Sequence, residues 1–156
     1  MTAKFTLFIT LLAYSIIVSQ SFMYILALKE VQLKMEADQY TQFRQLIDTS
    51  MRSNFKYVIY AALIANLLLV IIHIKTPSSI TFITAAIAFV ALVADVVLTL
   101  KCSLPINDVI NSWSQGNYPA NWQDYRLRWL SIFQYRQILS IIGFVSLLIA
   151  AVFGGK

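Results

Sequence analysis

The sequence predicts an all-α integral membrane protein, a four-helix bundle built from four membrane spans. Apolar runs at 5–28, 57–74, 80–100 and 138–153 make up most of the 156 residues. A bilayer core about 30 Å thick is crossed by about 20 helical residues, a length these runs reach or approach. Hydrophobic residues make up 59% of the chain and charged residues 12%, about half the charged share of an ordinary soluble domain. The period-two alternation of a barrel strand is absent, which leaves helices to satisfy the backbone amides in lipid. With 4 Gly and 3 Pro there is no linker, so a single domain over 1–156 is expected.

The first span follows Lys4 and carries Ser19 and Ser21 near its far end, an outline shared with signal peptides. Its apolar character continues through Phe22, Met23 and Tyr24 to Leu28, which predicts a retained membrane helix. In the segment 29–55, Tyr40, Phe43, Leu46, Ile47 and Met51 recur at helical spacing as an apolar stripe. Gln42, Arg44, Gln45 and Asp48 fall largely on the other side, and Glu30 and Lys34 are four apart in the favourable order for a helical ion pair. This predicts an amphipathic interfacial helix lying across the bundle mouth.

The second span, 57–74, turns at 75–79 into the third, 80–100. Pro105 predicts the end of that helix, because proline lacks an N–H and its ring crowds the preceding turn. Val109, Ile110 and Trp113 indicate a short helix, and residues 115–119 a turn. Asn121 stands as an N-cap, with Asp124 in the positive first turn. From Trp122 the helical pattern is unbroken to Phe153, 32 residues or about 48 Å at 1.5 Å each. The fourth span is then 130–153, and the start of its helix projects beyond the bilayer.

Four spans put both termini on one side and the segments 29–55 and 101–129 on the other. The long-segment side carries Lys29, Lys34, Arg44, Arg52, Lys56, Lys101, Arg126, Arg128 and Arg136, against Lys4, Lys75 and Lys156 opposite. The positive-inside rule places the long segments in the cytoplasm, in what is expected to be a bacterial inner membrane. The net charge of +5 is accounted for by this topology, and nucleic acid is not an expected partner.

Ionisable groups inside spans are costly and usually face the bundle interior or water. Asp95 lies six residues before Lys101, about 9 Å along the helix, and Arg136 enters the fourth helix from the same side. Their depths suit a direct pair, which either clamps two helices or marks a site. Gln20, Tyr24, Tyr57, Tyr60 and Asn66 add polar groups, most of them toward the same half of the bundle. Together these predict a pocket there, open to the long-segment face or laterally to lipid. Trp122, Tyr125, Trp129, Phe133 and Arg136 share one face of the fourth helix, with Arg128 on its flank. An aromatic face beside an arginine suits a planar, weakly acidic aromatic or quinone-like molecule. With one Cys, Cys102, and one His, His73, an internal disulfide is impossible, and neither a Cys/His zinc site nor bis-His haem is expected. No Walker-type glycine loop occurs, and no cofactor is expected.

Pro105, Asn107, Trp122, Trp129 and Arg136, set in the runs 104–108 and 121–136, resemble the C-terminal signature of a family of small four-span membrane proteins that includes the anthrone oxygenases. Phe133 and Gln134 depart from the Asn-His that members often carry before the arginine, and the first helix lacks the family's glycine-rich character. The resemblance implies cofactor-independent oxygenation of a hydroxylated polycyclic anthrone. Asp95 would then be the base, and Arg136 and Arg128 would stabilise the anion. Trp122, Tyr125 and Trp129 would stack on the substrate, and Asn107 would fix its loop through Asx-type bonds. Two classes of function compete: a membrane protein that binds, and in the enzymatic version oxygenates, a lipophilic ligand, and a non-enzymatic subunit of a larger membrane complex. In the second, the Trp/Arg face is a contact surface for protein partners.

Overall fold

No glycine or proline occurs between Ala37 and Ile72, so nothing there interrupts the helical hydrogen-bond ladder. The computed structural model, which describes residues 2–154, has a single 36-residue helix over that stretch, α3. The other helices are α1 (Thr2–Met23), α2 (Lys29–Lys34), α4 (Ile80–Leu98), α5 (Leu104–Asn111) and α6 (Trp122–Phe153). Wide π-type turns, Tyr24–Leu28 and Thr99–Ser103, carry α1 into α2 and α4 into α5 without a break. Four rods result, Thr2–Lys34, Ala37–Ile72, Ile80–Asn111 and Trp122–Phe153, each long and apolar enough to cross a membrane. The protein is an all-α membrane four-helix bundle. Lys156, counted above with the termini, lies outside the described residues.

The rods of 32 to 36 residues are about 48–54 Å long, against about 30 Å of hydrocarbon. All four helices therefore project on the long-segment side, not α6 alone. α1 packs on α3 and α6, and α4 packs on the same two, closing a ring, with α5 continuing the α4 contact onto α3.

Two local expectations are corrected. The segment 29–55 does not lie across the bundle mouth as an interfacial helix. Its first part extends α1, and the rest is the upper half of α3. A capping box at the bend starts the new helix, with Glu36 N–H donating to Gln39 Oε1 at 3.2 Å. The inward face is also not simply the apolar stripe expected: Tyr40 is 0% exposed as the stripe requires, but Arg44 and Asp48 are buried beside it at 3% and 4%, whereas Leu46 is 65% exposed. The neighbouring helix extensions offer polar partners, so the polar face is the one that gains by turning inward. Likewise, Pro105 does not end the third rod. The turn before it widens so that the Leu104 N–H reaches Thr99 C=O, and proline's ring and missing N–H are tolerated in the first turn of α5. Asn121 does precede α6, but its side chain makes no cap bond; the turn is held by Asp124 N–H to Asn121 C=O at 3.0 Å.

The core has two storeys. Within the membrane level, Ala13, Tyr14, Ile17, Ala62, Leu69, Ala85, Ala88, Leu92 and Leu147 pack together. Small residues let helix backbones approach where lipid supplies no hydrophobic drive. Tyr14 shows how close that approach is: its hydroxyl donates to Ala88 C=O at 2.9 Å and fills the space a side chain on Gly143 would occupy. Asn66, in the amide orientation that satisfies both its atoms, bridges α3 to Ala85 C=O and Phe89 N–H of α4. Above this level Tyr24, Tyr40, Ile106, Ile110, Trp113, Trp129, Leu130 and Phe133 form an aromatic second core.

Candidate functional site

Where the small-residue storey meets the aromatic one, the packing leaves a cavity of about 310 Å³, within the size range of small-molecule sites. α1 contributes Gln20, and the wide turn after it contributes Tyr24. α3 brings Arg44, Asp48, Met51, Arg52, Phe55, Lys56 and Tyr60. The third rod brings Val96, Leu100, Ser103 and Asn107, and α6 brings Trp129, Phe133 and Arg136. Both wide turns meet this level, Tyr24 opening one and Ser103 closing the other. Such turns recur at functional sites because they re-aim side chains within an otherwise regular helix.

Arg44 is the centre of the polar wall. Its guanidinium lies over the Trp129 ring with Cζ 3.7 Å from the centroid. One terminal nitrogen donates to Asn107 Oδ1 at 2.8 Å and the other to Tyr24 Oη at 3.3 Å. Its Nε has no hydrogen-bond partner, nor does Trp129 Nε1. Three ion pairs occur among the described residues, and Arg44 is in none of them. Taking a guanidinium out of water costs several kcal/mol, which the ring face and two neutral acceptors offset only in part.

Asn107 does not fix a loop as expected. It sits in α5, accepts from Arg44 through Oδ1 and donates through Nδ2 to Asp48 Oδ1 at 2.7 Å. An amide is suited to that place, since it offers an acceptor to the cation and a donor to the carboxylate. The other oxygen of Asp48 accepts from Asn111 Nδ2 and from Arg52 Nε, each at 2.7 Å, and Arg52 also binds Asp108 at 2.6 Å. Asp48 is therefore held by three donors.

Asp95 and Arg136 form the direct pair their depths suggested, Arg136 Nε to Asp95 Oδ1 at 2.7 Å. Arg136 lines the cavity and also approaches Ser103 Oγ at 3.4 Å, whereas Asp95 is buried behind it and is not part of the wall. Of the other residues singled out on α6, Trp129 and Phe133 reach the cavity. Trp122 packs against Tyr40, Tyr118 and the Arg126 guanidinium, and Tyr125 meets the edge of Trp113. Arg128 is exposed, and it is its neighbour Arg126 that is buried, donating to Gln32 C=O and Met35 C=O at 3.0 and 2.9 Å. Arg44, Asp48 and Arg52 were not singled out as site residues. Their signal was present: polar side chains at four-residue steps, continuing Tyr40, make one face of a helix. No family model, curated protein or solved structure matches the chain.

Proposed function

We propose that this small membrane protein binds a lipophilic molecule bearing an acidic or anionic group, seated in the cavity between the two storeys of the core. The observation that carries the reading is Arg44: a guanidinium 3% exposed, on a cavity wall, without a carboxylate partner and with a free Nε. An acceptor-only anion would complete its hydrogen bonds and neutralise it where water cannot, with apolar walls of Met51, Phe55, Val96 and Leu100 receiving the rest of the molecule. The four cations on the wall, Arg44, Arg52, Lys56 and Arg136, stand against three carboxylates, Asp48, Asp95 and Asp108. One unit of positive charge is left over.

The reading extends to membership of the anthrone-oxygenase-like family. In its support, three of the five residues that carry the resemblance, Asn107, Trp129 and Arg136, line this one cavity. Binding is better supported than the oxygenase chemistry: Asp48 is tied by three donors, and Asp95 holds Arg136 from behind the wall. An interior with a cavity supports a ligand site over a purely structural subunit. By the positive-inside rule the cavity would lie at the cytoplasmic leaflet. Native mass spectrometry of protein gently extracted from its own membrane tests the proposal. A lone chain or homo-oligomer carrying an acidic, lipophilic small molecule is expected, and Arg44→Met should release it. A stoichiometric complex with other proteins and no such molecule would overturn it.

A further inference from the structure

The cavity has a side door. Of its lining residues, Arg52, Lys56, Tyr60 and Leu100 are also exposed at the outer surface, the first three on α3 and Leu100 in the wide turn that continues α4. Tyr60 is one turn into the apolar run that follows Lys56, and Leu100 ends the run that Lys101 closes. Tyr60 and Leu100 therefore give the mouth a lipid-facing side at the height where acyl chains give way to headgroups. Along the path inward from that mouth the walls are Ile59, Phe55 and Met51 on α3 and Val96, Leu100 and Leu104 opposite, mostly aliphatic.

The aromatic faces that would stack on a planar ligand are already covered. Trp129 carries Arg44 at 3.7 Å and packs on Phe133, parallel within 12° at 5.0 Å, and on Tyr24 at 5.6 Å. Trp122 and Tyr125 are engaged in the upper core with other partners and do not reach the cavity. What the cavity offers freely is a buried cation at its inner end, an aliphatic passage, and a cationic rim residue, Lys56, whose ammonium meets no carboxylate and lies 5.1 Å from the Tyr57 ring.

Resting on the binding role proposed above, we infer that the occupant is a single-chain anionic amphiphile taken laterally from the bilayer. Its acidic head meets Arg44, and its chain passes between α3 and α4 into the surrounding lipid. The leftover positive charge at the wall matches a monoanion. A volume of about 310 Å³, at the small end for ligand sites, suits the head and first part of one chain.

The test uses the full chain in nanodiscs of phosphatidylcholine, stripped of co-purified lipid. Oleate, oleyl alcohol and anthraquinone-2-carboxylate are compared by native mass spectrometry and by thermal melting. Oleate should bind one per chain and raise the melting temperature, with oleyl alcohol at least tenfold weaker. Arg44→Met should lose at least tenfold in oleate affinity. Met51→Trp, which narrows the aliphatic passage without removing a buried polar partner, should do the same even if Arg44→Met does not fold. Displacement of oleate by phosphatidylglycerol added to the disc would overturn the single-chain assignment and identify a headgroup phosphate as the anion. Binding of the planar acid without oleate would overturn the inference and leave the binding role standing. Binding of neither, with nothing acidic co-purifying, would overturn both.

Discussion

The Arg44 guanidinium lies on the Trp129 indole, Cζ 3.7 Å from the ring centroid, with both side chains almost fully withdrawn from solvent. A cation held this way is attracted by the ring quadrupole, an effect worth about 2 kcal/mol when desolvated. Trp129→Leu removes the ring face while keeping an apolar side chain. It should lower stability by about 2–4 kcal/mol, the stack plus the lost volume. Chemical denaturation in detergent measures this, and a loss below about 1 kcal/mol would mean that the stack contributes little.

Asn107 is matched to both neighbours, so its replacement should strand two charged groups at once. Asn107→Leu leaves Arg44 without its best acceptor and Asp48 without one of three donors. A loss of about 2–4 kcal/mol is expected, the penalty of unmade bonds to charged groups. Asn107→Asp should fare no better, because it offers Arg44 a carboxylate by setting a second one against Asp48. Comparing the two variants by melting temperature separates the donor role from the acceptor role.

Breaking the Asp95–Arg136 pair should cost more than removing it. Asp95→Asn leaves a part-buried guanidinium facing a neutral amide, with an expected loss of about 3–5 kcal/mol. The double replacement Asp95→Leu with Arg136→Met should recover much of that loss, as apolar replacements of buried pairs often do. A double variant as unstable as Asp95→Asn would assign Arg136 contacts beyond the pair.

Gly143 and Tyr14 should show coupling of the compensating kind. Gly143→Ala sets a methyl where the Tyr14 hydroxyl stands, an overpacking that costs about 1–3 kcal/mol. Tyr14→Phe alone loses the bond to Ala88 C=O, about 1 kcal/mol. Together they should cost less than the sum, by at least about 0.5 kcal/mol in a double-mutant cycle.

Gly116 is the single glycine among the described residues with a left-handed backbone, φ 71°, and its N–H donates to Asp38 Oδ1 at 2.9 Å. A Cβ there meets no neighbouring atom, so Gly116→Ala tests conformational strain alone. The expected cost is about 1 kcal/mol, confined to the turn and read as faster amide exchange at Gly116 and Asn117.

The spans were legible because twenty apolar residues in a row have one stable arrangement in lipid. The Asp95–Arg136 contact was legible for a related reason: depth along a spanning helix is fixed by counting residues, and the charges had few other partners. Residues 37–55 were misread because an amphipathic helix at an interface and one packed against other helix extensions share the same periodicity. What decides between them is whether the polar stripe finds partners. Arg44 finds Asn107, and Asp48 finds Asn107 and Asn111, across a gap of about sixty residues in the chain. Nothing local records that. Pro105 was misread because the wide turn that accommodates it depends on packing rather than on a sequence signal.

The uninterrupted course of α3 has a mechanical meaning. A ladder of hydrogen bonds running from Ala37 to Ile72 resists bending far more than it resists tilting as a whole. Arg44 stands near one end of this rod and the 73–79 turn follows the other, with the bilayer between them. A tilt of the rod at its Arg44 end is therefore not absorbed nearby. It reaches the opposite surface of the membrane as displacement of the Lys75 turn, and the two sides of the bilayer share one stiff lever.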